Sequence, residues 1–277
     1  MKEMININIL YCGDDKMFRG FLISLLSLLK HSDRPLYVYI LTARLRNKKK
    51  QFMALTDAHA VVLNQVAQKN NSKNFVRKID ITKLYKKHLP KANHNTMFTP
   101  YSMLRLYVDL IPEIPDRILY LDADIVCRRN FDNFYDQDLT DTEFVGVLDH
   151  YGKWFFHHRL QKFDYINSGM LLLNVKIIKQ TGLMEKCRRL CDHRPMIMPD
   201  QSSLNRYAKT KRYADRKYNE QHGVYPNTVF HHFSTNWKLF PVVHTVTVKP
   251  WEIDKVHSNL HLHDYDDIYS EYLKLIH

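Results

Sequence analysis

Two kinds of hydrophobic periodicity alternate along residues 4–63, and this alternation leaves few architectures open. Residues 4–10 alternate apolar and polar side chains as a strand does, and residues 18–30 repeat apolar side chains at helical spacing. Residues 36–41 predict a second strand, residues 47–59 a second helix, and residues 61–63 a third strand. This β-α-β-α-β order predicts an α/β fold with a mostly parallel central sheet flanked by helices.

Carboxylates and an amide stand at the ends of these and later predicted elements. Further strands are predicted at residues 118–126, 144–149 and 166–174, and a helix starts near residue 199. The carboxyl ends of parallel strands meet at one edge of a sheet, where open α/β folds bind ligands. The side chains expected to converge at that edge are Asp14, Asp122, Asp124, Asp149, Asp200 and Gln201.

Asp122 and Asp124 are spaced i, i+2 at the end of a strand of β-favouring and apolar residues. In an extended chain, side chains at this spacing point to the same side and lie about 6.6 Å apart. Their oxygens can share one hard cation, directly or through water. The alternative is that a buried strand simply runs into a solvated acidic turn.

The net charge of +12 constrains the partners of the protein. It favours anions such as phosphate-bearing ligands, nucleic acid or an acidic membrane surface. The densest basic cluster, residues 44–50, is predicted to be the solvated start of a helix rather than a membrane or nucleic-acid contact. The longest apolar stretch is too short for a membrane span, and no signal-peptide core follows Met1. We therefore expect a cytoplasmic protein, with peripheral contact to an anionic membrane at its inner face left open and no nucleic-acid partner.

The four cysteines fit that compartment. In a reducing environment they are predicted to be buried or incidental thiols rather than a disulfide framework. Cys187 and Cys191 are four residues apart, but no second pair completes a zinc site.

Several short motifs between residues 6 and 251 stand in a particular order. They are Tyr11-Cys12-Gly13-Asp14-Asp15, Arg105, Arg117 to Asp124 with its two aspartates, Asn167-Ser168-Gly169, Asp200-Gln201 and Lys249-Pro250-Trp251. Together they resemble glycosyltransferase family 8, whose members are retaining enzymes with a GT-A fold that use nucleotide sugars. Each motif is weak alone, but the ordered set is specific.

The resemblance implies a binding site for a UDP-sugar donor. Asp14 would meet the uracil, and Arg105 would reach the sugar nucleotide. The departing diphosphate is a dianion, so a divalent cation and the charge of Lys249 would offset its developing charge. The implied donor-binding residues are Asp14, Asp15, Arg105, Asp122, Ala123, Asn167 and Lys249.

The resemblance also implies a metal held by Asp122, Asp124 and a histidine. Two carboxylates and one imidazole suit Mn²⁺, with Mg²⁺ as the second candidate. The family usually places this histidine six residues before the lysine of lysine-proline-tryptophan, whereas His244 lies five before Lys249 and the usual glycine is missing. His244 is the predicted ligand, and His231 and His232 are the alternatives because they lie in a similar apolar-histidine-phenylalanine context.

The implied catalytic residues are Gln201, Asp200 and Asp149. Retention could proceed by front-face attack, in which the leaving diphosphate accepts the acceptor's proton, or through a covalent intermediate. A glutamine is a poor nucleophile, so Asp149 or Asp200 would serve the second route better. We favour the front-face route, with Gln201 orienting the reactants and with Asp200 and Asn167 holding donor-sugar hydroxyls.

The predicted function is metal-assisted transfer of a hexose, galactose or glucose, from a UDP-sugar to a saccharide, glycoprotein or glycolipid acceptor. Residues 1–251 would form the GT-A catalytic domain, with a nucleotide-sugar half at 1–130 and an acceptor half at 131–251. Residues 252–277 would pack on it as a small C-terminal extension. Residues 64–100, 151–163 and 212–277 are predicted to contain the acceptor loops. Two alternatives are a haloacid-dehalogenase-like phosphatase that uses Asp122 as nucleophile and a non-catalytic binding protein that keeps the nucleotide-sugar fold.

Overall fold

The computed structural model describes residues 5–46, 50–95, 100–149, 164–234, 236–238 and 244–276, with the backbone alone at 236–238 and 244–246. The strands in these ranges are β1 (Ile7–Cys12), β2 (Leu36–Thr42), β3 (Leu45–Arg46), β4 (Gln51–Phe52), β5 (Phe75–Asp80), β6 (Arg117–Leu121), β7 (Ile125–Cys127), β8 (Phe144–Leu148), β9 (Ile166–Asn174), β10 (Lys211–Tyr213), β11 (Phe230–His232), β12 (Asn236–Lys238) and β13 (His244–Val246).

The helices in the same ranges are mostly short. The α-helices are α1 (Phe18–His31), α2 (Asp57–Asn70), α3 (Thr82–Lys87), α4 (Asp132–Tyr135), α5 (Val175–Thr181), α6 (Leu183–His193), α7 (Pro199–Tyr207), α8 (Ile253–Leu260) and α9 (Asp266–Ile276). The 3₁₀ helices span Asp15–Met17, Pro100–Leu110 and Arg216–Tyr218.

A seven-stranded sheet with the spatial order β10-β8-β9-β6-β1-β2-β5 lies at the centre of the fold. β1 pairs in parallel with β2 and β6, β2 with β5, and β8 with β10. β9 pairs antiparallel with both β6 and β8. Six strands therefore share one direction and β9 opposes them, which confirms the predicted mostly parallel α/β sheet.

Alternate residues of the central strands face two separate cores, as the two-residue period of a strand requires. Ile9 and Tyr11 pack in the cluster that holds the apolar face of α1, whereas Leu10 and Cys12 pack on the opposite face beneath the 3₁₀ helix Pro100–Leu110. Because both faces are covered, the central strands are mostly apolar, and polar residues gather at the edge where β6 and β8 end.

The third parallel strand lies further along the chain than predicted. Residues 61–63 belong to α2, where Leu63 and Ala67 are the buried residues, and β5 follows at Phe75–Asp80. β5 is one of the two edge strands of the sheet and half of its residues are charged, so its pattern was not recognised. Much of the range 64–100, which is predicted to contain acceptor loops, is regular structure, because it includes the end of α2, all of β5 and all of α3.

The helices α8 and α9 pack against the same core as α1. Val256, Tyr265 and Tyr269 are buried in that cluster, and Lys30 of α1 forms an ion pair with Asp267. A division of the chain at residue 251 stays a prediction. All four cysteines are buried and free, as predicted. Within the described ranges, none of the helices combines the length and the apolar character that crossing a membrane requires.

Candidate active site

The loops after β6 and β8 meet the beginning of β9 at one edge of the sheet. Because β9 is antiparallel, its amino end lies beside the carboxyl ends of its two neighbours. The backbone N–H of Asp122 donates to the carbonyl of Gly169, and that of Asp149 donates to the carbonyl of Tyr165, each over 2.8 Å. Two acidic loops thus flank the Asn167-Ser168-Gly169 segment.

Asp122, Asp124 and His232 form a cluster that could hold a cation. The aspartates lie on the turn between β6 and β7, and His232 ends β11, which pairs with β7 opposite Ile125. His232 Nε2 is 3.4 Å from Asp124 Oδ1 and 3.9 Å from Asp122 Oδ2. One ligand atom from each residue lies within 4.8 Å of the others. Two carboxylates and one imidazole fit a divalent ion such as Mn²⁺ or Mg²⁺.

Arg105 supports this cluster from the buried side. Its Nη2 donates to Asp122 Oδ1 over 2.8 Å, and its Nη1 donates to the carbonyl of Ser168. The guanidinium lies 4.0 Å from the ring centroid of Tyr120, whose hydroxyl donates to the same Asp122 oxygen. Its Nε is 3.5 Å from Asp200 Oδ2. Arg105 therefore fixes one oxygen of Asp122 and leaves the other directed towards His232.

Lys249 supports the cluster from the side of the Lys249-Pro250-Trp251 motif. Its Nζ donates to Asp124 Oδ2 over 2.5 Å and to the carbonyl of Phe233 over 3.2 Å. The second bond ties Lys249 to the residue that follows His232, although the two segments are separated by the β12–β13 hairpin. Lys249 therefore places a positive charge directly beside the candidate cation site.

The neighbouring charges change the proton affinities of the three candidate ligands. Burial raises the pKa of Asp122, which Arg105 offsets only in part. Burial also acts to raise the pKa of Asp124, but Lys249 and His232 outweigh it and hold that pKa far below its usual range. Burial lowers the pKa of His232, and the carboxylate of Asp124 more than compensates, so the net pKa is raised. Without a metal, this histidine therefore competes for a proton.

A chain of hydrogen bonds determines which nitrogen of His232 faces the aspartates. The carboxylate of Asp149 can only accept, and it accepts from Asn167 Nδ2 over 2.7 Å. Asn167 Oδ1 therefore faces Asn219, whose Nδ2 donates to it over 3.0 Å. Asn219 Oδ1 is left to accept from His232 Nδ1 over 3.1 Å. With its proton on Nδ1, the neutral imidazole directs the lone pair of Nε2 at the aspartates, as a metal ligand must.

Gln201 and Asp200 lie in the first turn of α7 and face the same segment of β9. Gln201 Nε2 donates to Asp149 Oδ2 over 3.1 Å, and Gln201 Oε1 accepts from the backbone N–H of Ser168 over 2.9 Å. The Ser168 hydroxyl donates to Asp200 Oδ2 over 3.0 Å. The structure thus brings the three predicted catalytic residues into one network with the metal cluster.

Gly169 lies where three of these groups meet. A Cβ on this residue would lie 2.3 Å from His232 Cε1, 2.9 Å from Asp122 Oδ2 and 2.9 Å from Asn167 Oδ1. Contacts under 3.0 Å require the neighbours to move, so only glycine allows both ligands to approach the strand this closely.

A cleft extends from the metal cluster to the end of β1. Asp14 is buried beside it, and its Oδ1 has no hydrogen-bond partner among the described residues. Burial raises the pKa of this carboxyl. The cleft is lined by Cys12, Gly13, Met17, Tyr101, Ser102, Arg105, Asp122, Ala123, Asp124, Lys249 and Trp251.

Asp15, also predicted to bind the donor, makes contacts within the protein. Its Oδ1 accepts from the backbone N–H of Thr56 over 2.8 Å and lies 2.7 Å from His59 Nδ1. It therefore holds the start of α2 against the loop that follows β1. A role for Asp15 in donor binding stays a prediction.

The three candidate histidines differ in their surroundings. His232 lies in the metal cluster, whereas His231 Nδ1 points away to the hydroxyl of Tyr265 at 2.8 Å, and burial lowers its pKa to about 3. The backbone of His244 lies in β13, but its side chain is outside the described part of the protein. His244 as a ligand stays a prediction, and the described geometry favours the alternative His232.

The sequence matches the model of the family described as Glycosyl transferase family 8 over residues 8–254. The chain belongs to glycosyltransferase family 8. This assignment removes the reason for the phosphatase alternative, which rested on residues 122–126 and on Asp264, Asp266 and Asp267 as a late acidic cluster.

Similar proteins are consistent with this family. The chain is 24% identical over 246 residues to the lipopolysaccharide 1,3-galactosyltransferase of Salmonella typhimurium, a match that covers 84% of this chain and 65% of the relative. It is 28% identical over 166 residues to a probable glycosyl transferase of Streptococcus gordonii, covering 58% of this chain and 23% of the relative. The chain therefore spans less than two thirds of the length of either curated relative.

Solved structures show the fold. An active-site mutant of LgtC superposes with a TM-score of 0.71 at 17% identity, covering 97% of this chain and 95% of that one. The galactosyltransferase LgtC in complex with donor and acceptor sugar analogs gives a TM-score of 0.66 at 16% identity, with 97% and 96% covered. The fold is accordingly GT-A.

Asn219 is the member of this family-8 site that the sequence analysis missed. It is fully buried and lies after the short helix Arg216–Tyr218, outside every motif. No sequence pattern marks it, since its role comes from the contact with Asn167, which lies 52 positions away.

Proposed function

We propose that this family-8 protein is a retaining hexosyltransferase that moves a hexose from a UDP-sugar to a saccharide, glycoprotein or glycolipid acceptor with a divalent cation. The observation that carries the proposal is the convergence of Asp122, Asp124 and His232 with Lys249 and Arg105 at the edge of the sheet. Galactose is the preferred sugar, because the Salmonella relative is named as a galactosyltransferase. Glucose is the second candidate.

The donor site requires an anion-binding end and a base-binding end. A divalent cation bound by the three ligands would offset the charge that develops on the departing diphosphate. Lys249 supplies a further positive charge beside Asp124. Near the other end of the cleft, Asp14 follows the lining residue Gly13, and its buried Oδ1, which has no hydrogen-bond partner among the described residues, would accept an N–H of the base once donor binding exposes it. Supplying that missing partner would favour nucleotide binding, since an unsatisfied buried acceptor costs about 1–3 kcal/mol.

Mn²⁺ is the preferred cation, with Mg²⁺ as the second candidate. The cluster offers one imidazole with its carboxylates, and imidazole is a better ligand for Mn²⁺ than for Mg²⁺. We assign His232 as the third ligand, because its Nε2 faces both aspartates.

Gln201 is suited to orient the sugar rather than to attack it. Its amide is held at both ends, by Asp149 and by the backbone of Ser168, and amides are poor nucleophiles. Asp149 Oδ2 already accepts from Asn167 and Gln201, which lowers its value as a nucleophile. The proposal therefore follows the front-face route, with the leaving diphosphate as the acceptor of the proton.

The proposal is tested by measuring the release of UDP from a panel of UDP-sugars, with and without Mn²⁺. Metal-dependent hydrolysis of UDP-galactose or UDP-glucose is expected. Nucleotide binding without any turnover, with or without candidate saccharide acceptors, would instead favour the non-catalytic binding protein. Hydrolysis of a generic phosphoester without release of UDP would contradict both.

The substitution Gln201→Ala tests the role of the amide. We expect turnover to fall severely while the affinity for UDP-sugar stays nearly unchanged, because Gln201 acts on the reacting sugar and not on the nucleotide. Gln137→Ala is the matched control, since Gln137 is partly buried and its side chain contacts Phe134 and Arg212 outside the site, through Nε2 and Oε1 respectively. A large loss of donor affinity in Gln201→Ala would refute the assigned role.

A further inference from the structure

A second group of three side chains that could hold a metal ion lies in the C-terminal region, outside the active site. His257 is on α8, His263 is in the loop that follows, and Asp266 begins α9. His257 Nε2 lies 2.7 Å from Asp266 Oδ1, and His263 Nδ1 lies 3.1 Å from Asp266 Oδ2. The imidazole rings stack with 4.5 Å between their centroids and 17° between their planes. Both rings therefore present a nitrogen to the same carboxylate.

The three ligand atoms are close enough for one ion to reach all of them after small movements of the side chains. The three ligand atoms lie within 4.8 Å of one another. In a tetrahedral zinc site with bonds of about 2.0–2.1 Å, ligand atoms are about 3.3 Å apart. All three side chains are partly or fully exposed, so they are free to move by the roughly 1 Å that separates their present spacing from that of zinc ligands.

We propose that His257, His263 and Asp266 form a second metal site that binds Zn²⁺ or a similar imidazole-preferring ion, with water as the remaining ligand. Two imidazoles and one carboxylate favour Zn²⁺ over the oxygen-preferring Mg²⁺ and Mn²⁺. The active-site cluster has the opposite composition, one imidazole and two carboxylates. The two sites therefore differ in the ions that they prefer.

An ion at this second site would connect α8 to α9. α8 follows directly from the Lys249-Pro250-Trp251 motif, and α9 packs on α1 through buried residues such as Tyr269 and Tyr272. Because the ion binds the folded arrangement of three side chains from separate segments, it would stabilise the folded state. The role inferred is structural, and it does not depend on the proposed sugar transfer.

The number of Zn²⁺ ions bound per chain tests this inference. Metal-free full-length protein is titrated with Zn²⁺ against a chromophoric chelator, in parallel with the double substitution His257→Gln and His263→Gln. We expect the double variant to bind one Zn²⁺ fewer than the wild type while its Mn²⁺ affinity is unchanged. If the active site failed to bind metal, both proteins would lose that ion equally, and the difference of one would remain.

Two further variants keep the test decisive. Asp266→Asn keeps the size of the side chain at the start of α9 but removes its charge, and it should weaken Zn²⁺ binding at this site at least tenfold. His261→Gln is the matched control, because His261 lies in the same exposed segment and is not one of the three ligands. Equal Zn²⁺ stoichiometry in the wild type and the double variant would overturn the inference. The two histidines would then serve only as hydrogen-bond partners of Asp266 at the start of α9. A loss in His261→Gln as large as in Asp266→Asn would also overturn the assigned ligands.

Discussion

Replacing Asn219 by leucine should weaken metal binding without touching any ligand. In the folded protein, Asn219 Oδ1 accepts from His232 Nδ1, and this bond directs Nε2 at the two aspartates. Leucine is similar in size but can neither accept that hydrogen nor donate to Asn167. The imidazole then loses the partner that fixes its tautomer and its ring orientation.

The contacts of Asn219 indicate how much stability and how much metal affinity the substitution should remove. Asn167 Oδ1 keeps its bond from the backbone N–H of Gly169 at 2.9 Å, so the main unsatisfied group is the buried Nδ1–H of His232. One such group costs about 1–3 kcal/mol of stability. Loss of an outer partner of a metal-bound histidine typically weakens metal binding about 10- to 100-fold, which is about 1.4–2.7 kcal/mol.

Isothermal titration with Mn²⁺ in the presence of UDP measures this change, and urea unfolding measures the stability. Asn74→Leu is the matched control, because Asn74 is also buried and bonds to Leu36 and Ala67 in a purely structural setting. It should lose comparable stability and keep its Mn²⁺ affinity. If Asn219→Leu bound Mn²⁺ within twofold of the wild-type affinity, the proposed role of the His232 tautomer would be refuted. An equal loss of Mn²⁺ affinity in Asn219→Leu and Asn74→Leu would refute it as well.

Three other substitutions test neighbouring features. Gly169→Ala should weaken Mn²⁺ binding more than tenfold in the same titration, because its Cβ collides with two ligands, whereas Gly223→Ala has open space and should bind normally. Lys249→Met should lower kcat/KM for UDP-sugar hydrolysis about 10²- to 10³-fold, because the positive charge beside the diphosphate is lost. Mn²⁺ binding to the free protein should be unchanged or tighter, because Lys249 competes with the ion for Asp124. Weaker Mn²⁺ binding would contradict that competition. Burial lowers the pKa of His231 to about 3, so the unfolded state takes up a proton first as the pH falls below about 6.5, and urea unfolding should show stability declining by up to about 1.4 kcal/mol per pH unit. His231→Asn should remove the contribution of this one proton to the slope of stability against pH. An unchanged slope would contradict the lowered pKa of His231.

The sequence by itself determined the features that depend on local pattern. The buried strands β1, β2 and β9 were recognised from local pattern, because residues 4–10 alternate apolar and polar side chains while β2 and residues 170–173 of β9 are apolar runs. Acidic residues directly after β6 and β8 were expected at one edge, since parallel strands point their ends the same way. The ordered motifs identified the family, which the match over residues 8–254 confirms.

Edge position and strand direction were decided only by the tertiary structure. β5 has one strand neighbour and keeps Arg77 and Asp80 in solvent, so its sequence lacks the apolar run of a central strand. β9 is antiparallel, so Asn167 reaches the site from the start of its strand and not from the end. The two-residue period of a strand does not encode its direction, because side chains alternate in the same way along parallel and antiparallel strands.

The position of His232, the proposed third metal ligand, depends on pairing between distant segments. In sequence, His232 precedes Lys249 by seventeen residues, and the spacing argument therefore favoured His244. In the folded protein, β11 pairs with β7 so that His232 lies opposite Ile125, directly beyond Asp124, and the hairpin β12–β13 takes up the intervening chain. Spacing along the chain measures loop length, whereas a ligand is placed by strand register, and that register forms only when the sheet does.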